Sequence, residues 1–301
     1  MELTGTSCIV IIILIRFIQQ YSSKMSSILV PKTLFGNTKY FMLTKLLAAA
    51  FAALILLFGG GFSHMNAETA LYAAAFGIML LISSVSSLYA IKSGTMALSS
   101  LFSTAGLIVP CVAGIFMYHI PMSLGQWAGV LLFLAASVLL IGDTKKLYSG
   151  FSFKTLILLL IAMLSNGAVM MVQTMFAKNV QGGDVTTFSF LGFLIPGVLL
   201  GIFACVYRVA APSQCHEKMQ KKLLIFALIS SIAVFFVNQL ATIATVKTEP
   251  VILFTFINGG NTIIAAVIAA LFFKEKITLK SGLGLLIGIA ALIMVKAFQP
   301  A

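Results

Sequence analysis

Acidic residues are scarce in this chain: there are seven among 301 residues, and charged residues of both signs reach only 9%. A soluble domain carries about a quarter charged residues, so this chain cannot cover itself with water-facing side chains. The seven acids (Glu2, Glu68, Asp143, Asp184, Glu217, Glu249 and Glu275) fall at termini, loops or helix ends, and none lies within an apolar run. An exporter that exchanges protons for lipophilic cations needs a carboxylate embedded in the membrane. This sequence argues against that chemistry. The three histidines, His64, His119 and His216, stand apart, without an HExxH pattern or paired carboxylates, so neither a metal site nor acid–base catalysis is indicated. Four cysteines form no CxxC pair, and three of them sit in apolar runs as small packing residues. No glycine loop ending in Lys-Ser/Thr is present, which argues against ATP-driven work by this chain alone. The first residues, MELTGTSCIVIIILIRF, lack a basic n-region and a cleavage site, and are read as a retained first helix.

What remains is overwhelmingly apolar. Hydrophobic residues make up 60% of the chain and the mean hydropathy is +1.12. The apolar runs recur at about 20 residues, the length a helix needs to cross hydrocarbon. They predict an all-α integral membrane protein of ten transmembrane helices, over about 4–24, 38–59, 69–91, 95–118, 123–141, 153–177, 185–208, 222–244, 250–273 and 279–297. The net charge of +12 is spread between the spans, without basic stretches interleaved with aromatics. It reads as loop anchoring rather than a nucleic-acid surface. Membrane lipid is therefore an expected partner and nucleic acid is not, and the setting expected is the cell membrane. Most basic residues follow odd-numbered helices, whereas the opposite side carries only Lys178, Lys247 and Lys296. The positive-inside rule then places both termini outside the cytoplasm.

The chain also resembles itself. A shift of 155 residues lays 88–110 over 243–265 without a gap, with Lys92 on Lys247, Leu98 on Leu253, Leu124 on Leu279 and Gly129 on Gly284. Two units follow, 1–148 and 149–301, each of five helices. An odd number of helices per unit forces the two to insert with opposite orientation. Inverted repeats of this kind place a solute site near the midplane, between the halves.

The segment ALFFKEKITLKSGLGLLIGIAALIMV (270–295) resembles the repeat ending of EamA-type members of the drug/metabolite transporter superfamily. There a helix closes on a short turn containing glutamate before a glycine-rich last helix. Glu275, Gly284 and Gly288 hold those positions here. YAIKSGTMALSSL (89–101) and SLGQWAGVLLFLAASVLLIG (123–142) match in the first half, where His119-Ile120-Pro121 replaces the glutamate turn. The resemblance implies solute transport by alternating access, through a cavity lined by the central helices of both repeats.

Polar residues within the apolar runs are the candidate binding groups. Arg16 interrupts helix 1, where an arginine at mid-bilayer costs about 3 kcal/mol and should face protein or a water-filled cavity, unless the helix shifts and the side chain snorkels to an interface. Gln19 and Gln20 follow it. Asn166 and Gln173 of helix 6 are seven apart and share a face. Asn238 and Gln239 lie in helix 8. Asn258-Gly259-Gly260-Asn261 interrupts helix 9, where the paired glycines permit either close packing or local unwinding that exposes carbonyls. The shift sets Ser103 opposite Asn258. Gly284 and Gly288 form a GxxxG pattern, suited to packing within the bundle or to a homodimer contact.

Together these features predict a secondary transporter or facilitator for a small neutral or anionic metabolite, with no enzymatic activity and no cofactor. Arg16, Gln19, Asn166, Gln173, Asn238, Asn258 and Asn261 are its candidate binding residues. The alternatives are a non-transporting partner or sensor with a transporter fold, and a membrane enzyme acting on lipid-linked substrates.

Overall fold

The structure is a computed structural model that describes residues 4–31, 33–59, 66–92, 102–119, 121–140, 153–212, 219–273 and 279–299. Glu275 and its turn, Cys215 and Gly60-Gly61 lie outside the described residues. Ten helices are present among those described: α1 (Gly5–Leu29), α2 (Leu34–Phe58), α3 (Ala67–Lys92), α4 (Ile108–Tyr118), α5 (Leu124–Leu140), α6 (Phe153–Asn179), α7 (Val185–Ala210), α8 (Lys221–Lys247), α9 (Pro250–Phe273) and α10 (Leu279–Ala297). Seven of these are long and apolar enough to cross a membrane, namely α1 to α3 and α6 to α9, and the other three are shorter apolar helices.

Several helix starts carry the caps that unpaired N–H groups require. Thr4 Oγ1 accepts from the Ser7 N–H, Thr33 Oγ1 from Gly36, and the Asp184 carboxylate from Thr186 and Thr187. Hydroxyls inside the spans bond back to the preceding turn, as Thr38 does to Leu34 and Ser165 to Ile161, which satisfies them without water. The outward faces are apolar: Phe58, Leu71, Phe116 and Leu271 are all largely exposed. Such a surface suits hydrocarbon and not water.

Two expected features come out differently. The fourth span is interrupted: residues 102–105 are helical, Gly106 and Leu107 form a turn, and α4 starts at Ile108. Pro110 explains the break, because it has no N–H to give the Gly106 carbonyl four residues back and its ring crowds that oxygen. By contrast α9 runs unbroken through Gly259 and Gly260. A Cβ on Gly259 would meet Leu292 at 2.6 Å and the Phe133 ring at 3.0 Å, so this glycine admits close packing rather than unwinding. The first helix also extends five residues past the expected end, carrying Lys24 on the helix itself.

The most extensive packing joins α5 with α10, α2 with α7, α1 with α8 and α3 with α6. Exchanging every helix for the one five places along the chain returns the same set of pairs. Two apolar cores result. One gathers Ile12, Leu107, Phe133, Ile252 and Leu253, and the other gathers Ala48, Phe76, Phe176, Phe188 and Phe193, with Phe176 and Phe188 stacked 4.2 Å apart.

Candidate solute-binding site

Arg16 lies near the midpoint of the 25-residue α1. Val10, Leu14, Phe17 and Ile18 form the exposed face of that helix, while Cys8, Ile9 and Ile12 are buried. Arg16 follows Ile9 by seven residues and Ile12 by four, so it projects from the buried face. One of its terminal nitrogens donates to Gln19 Oε1 at 2.8 Å, while its Nε is buried without a partner. The residue as a whole is half-buried.

Lys45 is the group that the reading of the sequence missed. It sits near the midpoint of the 25-residue α2. Buried Ala48, Ala49 and Ala52 follow it by three, four and seven residues, placing it on the inward face. Its ammonium lies 5.6 Å from the centre of the Phe193 ring, a cation–π contact with α7. The signal was present in the sequence, as a lysine in the middle of a run otherwise rich in Leu, Ala and Phe.

The helix registers bring the two cations to comparable depth. Along α1 and α8, Ser23 faces Ser230 and Gly5 abuts Thr248, so the two helices are antiparallel. Along α2 and α8, Tyr40 reaches Ser230 and Phe51 meets Phe235 and Phe236, so these run parallel. Arg16 and Lys45 each fall between the two contacts of their own helix with α8. The three acids among the described residues lie at helix starts and connections: Glu68 is in the first turn of α3, Asp184 caps α7 and Glu249 precedes α9.

The predicted amides fall into separate groups. Gln173 Nε2 (α6) donates to the Asn238 backbone oxygen, Asn238 Oδ1 and Thr242 Oγ1 of α8 at 3.0, 3.1 and 2.7 Å. Asn238 Nδ2 donates to Ser189 Oγ of α7, Ser189 to Gln239 Oε1, and Gln239 Nε2 to Thr186 Oγ1. This chain stitches α6, α7 and α8 together, and both Gln173 and Asn238 are buried within it. Asn166 Nδ2 donates 2.8 Å to the Ser103 carbonyl, next to the break before α4. Gln20 Nε2 donates to Asn261 Oδ1, and Asn258 Nδ2 has a weak contact of 3.5 Å with Met170 Sδ. Asn258 and Asn261 are half-buried, as are Arg16, Gln19 and Gln20. Among the described residues no group of three His, Cys, Asp or Glu side chains could hold a metal ion.

Apolar helices, seven of them long enough to cross a membrane, define a polytopic integral membrane protein with amides and two cations on inward faces. Residues 153–297 match the family described as the EamA-like transporter family, a match consistent with the drug/metabolite transporter superfamily. The fold of the chain is also that of a protein of known crystal structure, at a TM-score of 0.75 over 97% of this chain and 98% of that one, with 12% identity. No curated protein matches the chain.

Proposed function

We propose that this protein is a secondary transporter or facilitator for a small metabolite, neutral or anionic, and that Arg16 and Lys45 give its cavity a preference for anions. The observation that carries the reading is the pair of cations at mid-helix on inward faces, with no carboxylate in either helix. An uncompensated charge at mid-bilayer costs about 3 kcal/mol. Two such costs are hard to account for as structure alone, and a negatively charged solute would supply the missing counter-charge. Gln19, Asn258 and Asn261 lie half-buried and could add hydrogen bonds to the solute. Gln173, Asn238 and Asn166 already have partners, and their contribution on this reading is to hold the helices that frame the cavity.

Alternating access between two inverted repeats, 1–148 and 149–301, is the mechanism we infer. The helix pairing supports it, because the set of packed pairs is unchanged when each helix is replaced by its counterpart five places along. Rocking of one repeat against the other would then expose the same site to either side.

The test compares metabolites in medium and cell extract between cells producing the normal chain and cells producing the Arg16→Gln, Lys45→Gln double variant. Redistribution of an acidic metabolite by the normal chain and not by the variant is the expected result. Equal redistribution by both would remove the two cations from the site. No redistribution, with both proteins confirmed in the membrane, would sink transport in favour of a partner role.

A further inference from the structure

At the end of the bundle where α1 and α9 begin and α6, α8 and α10 end, the structure holds a cavity of about 710 Å³. That is within the range of about 300–1,000 Å³ usual for small-molecule sites. Lys178, Lys247 and Lys296 all line it. These are the three cations the sequence assigns to the charge-poor side, and three different helices deliver them to one concavity. A single carboxylate, Glu249, joins them, for a net charge of +2 (three lysines less one glutamate). Its two oxygens already accept hydrogen bonds, from Gln299 Nε2 at 3.0 Å and Gln126 Nε2 at 3.4 Å.

Each lysine lies in the last turn of its helix, where a cation offsets the exposed carbonyls. That accounts for the lysines one at a time. It does not account for their meeting around a cavity whose wall is in part apolar, with Ile9 and Ile13 from α1 and Ile252 and Phe256 from α9. Hydroxyls of Thr4, Thr6 and Thr248 line the same space. The α1 wall runs from Thr4 to Ile13, nine residues or about 14 Å. Arg16 is the next inward residue along that stripe, since Ile9, Ile13 and Arg16 stand at i, i+4 and i+7.

We propose that this cavity is a vestibular binding site for an organic carboxylate with an apolar body. The carboxylate is held among Lys178, Lys247 and Lys296, the hydrocarbon part lies against Ile9, Ile13, Ile252 and Phe256, and the α1 stripe leads it to Arg16. The proposal rests on the transport reading above and adds to it the class of solute and its first site.

The experiment reads lysine acylation by mass spectrometry on the full chain in lipid nanodiscs, with hexanoate as the probe and hexyltrimethylammonium as its cationic counterpart. Parallel proteoliposomes measure hexanoate counterflow. With hexanoate at about twice its dissociation constant, acylation of Lys178, Lys247 and Lys296 should fall about threefold. Lys154 and Lys221, at the other end of the bundle, should be unaffected. The cationic probe should protect none of them. The footprint is taken on the unaltered chain and does not depend on any variant folding. Absence of protection at the three lysines, or equal protection by both probes, overturns the vestibular site whatever the counterflow shows. Protection without counterflow leaves the site standing and overturns transport.

Discussion

Gln20 Nε2 donates a 2.6 Å hydrogen bond to Asn261 Oδ1, joining α1 to α9 across 241 positions of sequence. Both amides are half-buried, and the bond spans the same helix pair that walls the lysine-lined cavity. Interhelical hydrogen bonds in membranes average about 0.6 kcal/mol, with a maximum near 1.7. A double-mutant cycle with Gln20→Ala and Asn261→Ala, followed by thermal unfolding in detergent, should return a coupling of that size. Additive effects would show that the two amides act independently.

The Gln173 network has a different energetic character. Gln173 is buried and its amide faces three acceptors on α8, while Asn238 passes the chain on to α7. Removing one member strands the others in a region that water does not reach, at about 1–3 kcal/mol per unsatisfied group. Gln173→Ala should therefore lower the unfolding temperature more than Gln20→Ala does. A solute-binding role without a scaffold role would give the opposite order, with stability kept and affinity lost.

Close backbone approach decides a third outcome. A Cβ on Gly167 would lie 2.5 Å from the Gly106 carbonyl oxygen, and one on Gly106 would lie 2.7 Å from the Met163 carbonyl oxygen. At Gly114, within α4, a Cβ would meet nothing within 4 Å. Gly167→Ala should thus be strongly destabilising. Gly114→Ala should be neutral or gain up to about 1 kcal/mol of helix propensity. Similar melting temperatures for the two variants would show that α6 and the turn before α4 do not cross this closely.

The helices were legible because lipid imposes one length and one composition on every span. The last two were expected over about 250–273 and 279–297, and helices stand there in the structure. The break at Gly106–Leu107 was not read, although Pro110 signals it: a proline in the first turn of a helix and a proline inside one look alike without the fold. The paired glycines of α9 misdirect in the opposite sense, since room for a neighbouring Leu292 and freedom to unwind leave the same mark in sequence. Amide partners were beyond reach for a simpler reason. That Gln173 meets Asn238 while Asn166 meets the Ser103 carbonyl depends on helix rotation, which apolar periodicity sets loosely in spans that are hydrophobic on every side.

Lys45 yields the sharpest prediction because structure and function pull it in opposite directions. It projects inward among Ala48, Ala49 and Ala52 and touches the Phe193 face. A charge so placed costs about 3 kcal/mol on insertion scales, and a cation–π contact returns about 0.5–2 of that. Lys45→Met keeps the length of the stem and removes the charge, so the variant should unfold at a higher temperature. If the ammonium serves as counter-charge for an anionic solute, the same variant should lose uptake of that solute by tenfold or more, the equivalent of about 1.4 kcal/mol of binding. Lys45→Arg should keep part of the uptake, because it restores the charge with altered geometry. Uptake assays in proteoliposomes, paired with thermal unfolding of the same preparations, read both effects together. A Lys45→Met protein that is more stable and fully active would show that the cation carries no load in transport and that the anion preference has to come from Arg16 alone.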